Sequence, residues 1–323
     1  MLKRAYDANA SKKPGREDLE EILRASLTSY DLVFCHLDAL DECPEEEDTR
    51  RVVLQGIEQL FEHAQNLRIL VTSRDESDIR RSIELLDLTS ISVASELVTP
   101  DIQRYIDKQI SRVPKLSRLD AATKNLVRET LSERADGMFR YVFCQLQELT
   151  KSKSTRPTTV RNVLLALPAT LDGTYERMLS RIDFEDQPYA LTLLRWLAFS
   201  YEPLTLEQLA EASIIDPTND PNSDGTVDID NKGDWADTLE VLAGLVVAIT
   251  DDKQDYEAPD CEPADEEAQD DDYIRLAHFS VKEYLQSNRI TASKARDYHL
   301  DPGRGHRFLT HSCLAYLIYY SDS

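Results

Sequence analysis

Two short apolar runs, Leu32-Val33-Phe34-Cys35-His36-Leu37 and Leu67-Arg68-Ile69-Leu70-Val71, bracket a segment in which Val53, Leu54, Ile57, Leu60 and Phe61 recur at helical spacing. Strand, helix, strand in this order constrains the chain more than any other feature. A crossover long enough to hold a helix closes two strands side by side in parallel, as a βαβ unit. The first run is nearly continuous in apolar character and ends in acids, which predicts a strand buried on both faces of a parallel sheet. Residues 89–93 predict a third, weaker strand. Before the unit, residues 1–17 are polar, with Lys, Pro and Gly, and read as a frayed terminus. Leu19, Ile22, Leu23 and Leu27 then fall on one face of a helix, with Asp18 as its expected cap.

From about residue 98 the apolar period becomes helical. Patterns at 101–113, 120–134, 138–150, 158–166, 171–182, 188–199 and 205–213 each predict a helix, and Thr99-Pro100-Asp101 reads as a helix start. Residues 239–249 and 273–276 can pair as two strands across an intervening acidic loop, with a helix at 280–286 behind them. Helices followed by a two-stranded wing make a winged-helix pattern. Residues 307–320 look like the opening helix of something that continues.

The net charge of −23 is concentrated. Residues 251–272 hold twelve acids and one lysine (−11), and 216–237 hold seven aspartates and one lysine (−6), so the two stretches carry −17 of it. Both are rich in Asp, Asn and Pro without apolar periodicity, the composition of solvated loops. No basic stripe offers itself to phosphates, which argues against nucleic acid. The longest apolar run, 241–249, is far short of the roughly 18 residues of a membrane span. The five cysteines (Cys35, Cys43, Cys144, Cys261, Cys313) are scattered and contain no Cys-x-x-Cys pair. That argues against a disulfide framework or a zinc site and fits a reducing, cytoplasmic compartment.

The chemistry centres on Leu37-Asp38-Ala39-Leu40-Asp41-Glu42. A strand that delivers a carboxylate at its carboxyl end is how P-loop NTPases hold Mg²⁺ at the sheet edge. On that reading Asp38 is the metal-side acid, and Asp41 or Glu42, a turn further on, polarises an attacking water. The plainer reading is a strand ending in a solvated acidic loop. The adjacent strand ends in Thr72-Ser73-Arg74, where Arg74 is placed either to sense a γ-phosphate or to pair with Asp75 or Glu76. Cys35 and Cys144 fall at strand and helix core positions and read as packing residues. The aromatic cluster Tyr316, Tyr319, Tyr320 reads as core or interface.

At this point the chain resembles the NACHT family of STAND NTPases, particularly the fungal type found upstream of ankyrin or other repeats. The matching text is Asp38-Ala39-Leu40-Asp41-Glu42-Cys43-Pro44 and Ile69-Leu70-Val71-Thr72-Ser73-Arg74. It continues through residues 97–106, Asp136-Gly137-Met138-Phe139, Leu167-Pro168-Ala169-Thr170-Leu171 and Ala277-His278-Phe279-Ser280-Val281-Lys282-Glu283-Tyr284-Leu285, covering about 14–290. The resemblance implies that Asp38 orders Mg²⁺, that Asp41 and Glu42 serve hydrolysis, that Arg74 acts as sensor, and that His278 reaches the phosphates of bound ADP. Without the resemblance, His278 reads as a core histidine at the start of an amphipathic helix. The C-terminal part also resembles the winged-helix domain associated with GPI inositol-deacylase, yet no Gly-x-Ser-x-Gly elbow supplies a nucleophile.

One departure from the family is specific. The sequence contains no Gly-x-x-x-x-Gly-Lys-Ser/Thr, the loop whose bare amides wrap phosphates. The expected architecture is therefore an α/β remnant, a partial P-loop NTPase sheet, followed by a helical domain and a winged-helix domain, predominantly α. Its expected divisions are 1–95, 96–167, 168–290 and 291–323. The expected function is a truncated or degenerate signalling module with protein partners, a homo-oligomer among them, either using Mg²⁺ with ATP or ADP or using no cofactor at all. A nucleotide-independent helical scaffold is the alternative.

Overall fold

The computed structural model describes residues 15–43, 48–86, 88–93, 95–152, 154–217, 226–229, 239–249 and 273–321. The terminus expected before residue 15, the stretch 251–272 and most of 216–237 lie outside the described residues. The chain divides into two compact units, Met1–Ser92 and Val93–Ser323.

The first unit runs α1 (Arg16–Leu27), β1 (Val33–Leu37), a 3₁₀ turn (Leu40–Glu42), α2 (Thr49–His63), β2 (Leu67–Val71) and α3 (Ser77–Leu85). Gly15, not Asp18, caps α1. Asp18 sits inside the first turn and accepts the Gly15 N–H at 3.0 Å. The βαβ unit forms as expected: β1 and β2 pair in parallel from Val33 opposite Leu67 to Leu37 opposite Val71, with α2 as the crossover. Asn66 anchors the start of β2 by donating to the carbonyls of Leu27 and Tyr30 at 2.8 and 2.7 Å.

Two expectations about this sheet are corrected. Burial alternates along β1 and β2, so they are covered on one face only. On the covered face Leu37, Ile69 and Val71 meet Leu40, Leu54, Ile57 and Ile79, the small core built with α2 and α3. On the other face Phe34 and Leu70 are 77% and 60% exposed. A continuous apolar run cannot report how many layers cover it, which is why the reading failed. Residues 88–93 are irregular, with Ile91 and Val93 exposed, so the third strand is absent.

The second unit is predominantly helical: α4 (Ser95–Arg112), α5 (Pro114–Ser117), α6 (Ala121–Ala135), α7 (Phe139–Lys151), α8 (Pro157–Leu165), α9 (Leu171–Leu179) and α10 (Gln187–Phe199). Then follow β3 (Leu204–Thr205), α11 (Leu206–Ser213), β4 (Ile215–Asp216), β5 (Thr226–Val227), β6 (Val246–Ile249), β7 (Tyr273–Leu276), α12 (Phe279–Gln286), α13 (Asn288–Thr291) and α14 (Pro302–Ser321). Capping chemistry sets several starts. Asp120 accepts the Thr123 N–H at 3.0 Å, Thr170 accepts the Gly173 N–H at 3.1 Å, and Thr205 and Gln208 form a reciprocal capping box.

Thr99-Pro100 does not start α4, which runs through it. The proline removes one backbone bond, and Val98, two residues before it, packs on the core. Residues 239–249 are not one strand either. Leu239, Leu242 and Leu245 recur every third residue, with Leu242 and Leu245 buried, and only Val246–Ile249 is extended after Gly244 at φ +88°. A three-stranded sheet in the order β3-β7-β6 results, all antiparallel. One continuous core cluster runs from Ile102 in α4 to Leu300, with Tyr141, Tyr175 and Tyr284 among its fully or nearly fully buried residues.

Candidate functional site

In the first unit the carboxyl ends of β1 and β2 lie side by side, and the residues that follow them lock together. Ala39, just past β1, adopts a left-handed conformation (φ 51°), which turns the chain back across the end of β2. Thr72, just past β2, is the fastener. Its N–H donates to the Leu37 carbonyl at 2.9 Å, its carbonyl accepts from Leu40 N–H at 2.9 Å, and its hydroxyl accepts from Ala39 N–H at 2.8 Å. The same hydroxyl donates to the Asp38 carboxylate. Asp38 is thus an exposed carboxylate held in one orientation at the sheet edge.

Asp41 meets Arg74. The Asp41 carboxylate accepts the Arg74 backbone N–H at 2.9 Å and pairs with its Nε at 3.1 Å. Its side chain is 8% exposed, against 49% for Arg74. The alternative pairing of Arg74 with Asp75 or Glu76 is not the one seen; Asp75 pairs with Arg80. Glu42 is exposed on the 3₁₀ turn. Buried Arg50, from α2, holds the turn from below by donating to the carbonyls of Asp41 and Cys43, both at 2.8 Å, and pairs with Asp78 at 3.5 Å. Asp38, Asp41 and Arg74 are therefore brought together, with Glu42 on the same turn. Thr72 and Arg50 complete the constellation. Thr72 could be found from the parallel register, which sets it one step past Val71; nothing in the spacing points to Arg50. Among the described residues no group of three or more His, Cys, Asp and Glu side chains gathers as a metal cluster.

His278 belongs to the second unit. It is exposed and caps α12 rather than sitting in the core. Its Nδ1 accepts the Ser280 N–H at 3.1 Å and lies 2.7 Å from the Ser280 hydroxyl, which in turn lies 2.8 Å from the hydroxyl of fully buried Tyr175. Burial pushes the Tyr175 phenol up from its usual range, opposed in part by its hydrogen bonds with Ser280 and Arg140. Cys144 is fully buried, and burial pushes its thiol up as well, away from the thiolate a nucleophile needs. In α14 the Tyr320 ring meets Tyr316 at a tilt and Tyr319 edge to face.

An open parallel pair with acids and an arginine outside its carboxyl ends is the geometry at which α/β proteins place ligands. Known proteins share parts of this sequence. Residues 2–74, which end on Arg74 and include Asp38, Asp41 and Glu42, match the family nephrocystin 3, N-terminal. Among relatives, the azaphilone pigments biosynthesis cluster protein L of Monascus ruber is 31% identical over 177 residues, covering 54% of this chain and 33% of that protein. The vegetative incompatibility protein HET-E-1 of Podospora anserina is 26% identical over 200 residues, covering 60% of this chain and 14% of that protein. The chain thus spans a third or less of the length of these relatives. No solved structure matches it. Together these similarities support a fungal NACHT-like protein.

Proposed function

We propose that the chain is a degenerate NACHT-type regulatory module that works through protein contacts, self-association among them, without hydrolysing ATP on its own. The observation that carries this is the lock across β1 and β2. Asp38 is exposed and oriented by Thr72, while Asp41 and Arg74 are tied to each other. A single exposed carboxylate fits the demand of Mg²⁺ on a nucleotide, which takes one or two carboxylates and fills its other positions with water and phosphate oxygens. No phosphate-wrapping loop stands in the sequence. The residues therefore fit a metal-side acid and not a complete NTPase site.

In this reading Asp38 holds the ion and Thr72 keeps its carboxylate turned to the edge. Arg74 is the residue poised for phosphate charge, at the cost of releasing Asp41. Asp41 and Glu42 occupy the positions that serve hydrolysis in the family. Bound Mg²⁺-nucleotide would supply the charge that biases how the module associates. We read β3-β7-β6 with α11 and α12 as the winged helix and His278 as its phosphate-facing residue. No helix among the described residues is long and apolar enough to cross a membrane, and a cytoplasmic setting fits the scattered cysteines. The acidic stretch at 251–272 counts against nucleic acid as a partner.

The second reading, a nucleotide-independent scaffold, is favoured by the Asp41–Arg74 pair, which satisfies both charges without ligand. Calorimetric titration of ATP and ADP, with and without Mg²⁺, separates the two. Micromolar, Mg²⁺-dependent binding without phosphate release, lost in Asp38→Ala, is the expected result. Absence of heat at millimolar nucleotide would leave the scaffold.

A further inference from the structure

The start of α12 contains a hydrogen-bond chain whose direction can be worked out. Nδ1 of His278 accepts the backbone N–H of Ser280 at 3.1 Å, so that nitrogen presents a lone pair and carries no proton. The Ser280 hydroxyl, 2.7 Å from the same nitrogen, must then donate to it. With its one proton spent, Ser280 can only accept from Tyr175, 2.8 Å away. Tyr175 is suited to that duty. It is fully buried, its ring lies 5.9 Å from that of Tyr284, and burial keeps the phenol protonated. The chain runs from Tyr175 in α9 through Ser280 to His278, from the core to an exposed ring.

We infer that Ser280 and Tyr175 are positioning residues that hold His278 in a single neutral tautomer, with its proton on Nε2. In solution the two tautomers of a neutral imidazole interconvert, and the partner of one nitrogen decides the state of the other. Here the α12 cap requires a bare Nδ1, and the Ser280 hydroxyl, accepting from Tyr175, reinforces that state by donating to it, so Nε2 is the donor. A fixed N–H donor on an exposed ring suits an anionic oxygen such as that of a phosphate. The ligand class rests on the reading proposed above; the tautomer does not.

The test is long-range proton–nitrogen NMR of the full chain at neutral pH without nucleotide, with the His278→Gln variant used to assign the signal. His278 is expected to show a bare Nδ1 and a protonated Nε2. In Ser280→Ala and in Tyr175→Phe the two nitrogen shifts move toward each other as the second tautomer enters, and Ser280→Thr, which keeps the hydroxyl, restores them. Unchanged signals from the other histidines report that each variant is folded. A proton on Nδ1 in the wild type, or variants indistinguishable from it, overturns the inference. Because no nucleotide is present, that failure leaves the nucleotide reading untouched, and absence of nucleotide binding leaves the tautomer untouched.

Discussion

Thr72 shows how much one hydroxyl can organise. It joins the ends of two strands, satisfies the N–H of a left-handed alanine and orients Asp38. Thr72→Val keeps the shape and removes those bonds. It is expected to cost about 1 kcal/mol in urea denaturation and to release the Asp38 carboxylate. Glu148 is a second residue with a defined duty. Burial works to raise its pKa, but hydrogen bonds from Arg181 at 2.9 Å and Lys151 at 3.1 Å outweigh burial and hold the carboxyl below its ordinary 4.5. A lowered carboxyl contributes stability that is fully present above that value and is lost as pH falls through the lower folded pKa. Glu148→Gln should therefore lower stability at pH 7, by about 1–3 kcal/mol, and flatten the loss of stability as pH falls below the ordinary carboxyl value. Thermal melts over that fall in pH check both outcomes.

At the level of elements, α14 reaches the helical core through a glycine. A Cβ on Gly305 would lie 2.1 Å from the Phe199 ring of α10, and neighbouring ring atoms would be within 2.6 Å. Gly305→Ala must displace the ring or the helix, and a loss of about 1–3 kcal/mol is expected, read as a fall in melting temperature. The open face of the sheet predicts the opposite behaviour. Phe34 is exposed, so Phe34→Thr should change stability by no more than about 0.5 kcal/mol, whereas a strand covered on both faces would lose several times that on removing an aromatic ring. The helices were legible because their 3.6-residue period and caps are local, as at Asp120 and Thr205. The layers around β1 were not, since an apolar run looks the same whether one face or two is covered.

Across the whole molecule, the two units differ in how much core they own. The first has Leu40, Leu54, Ile57 and Ile79 with a ring of half-buried neighbours; the second has one cluster that runs from Ile102 in α4 to Leu300 and draws on ten helices, α4 to α13. Opening free energy follows buried apolar contact. Amide exchange in β1 and β2 is therefore expected to be faster than in α7 and α10, and equal protection in both units would contradict this. By itself the sequence determined the βαβ order, the succession of helices, and the acids and arginine that follow the two strands, because these rest on local period and on chain order. Only the tertiary structure decided that one sheet face stays open, that Asp41 closes on Arg74, and that a buried tyrosine stands behind His278. Each of those depends on which residues from distant parts of the chain arrive at the same place, and spacing along a sequence does not record that.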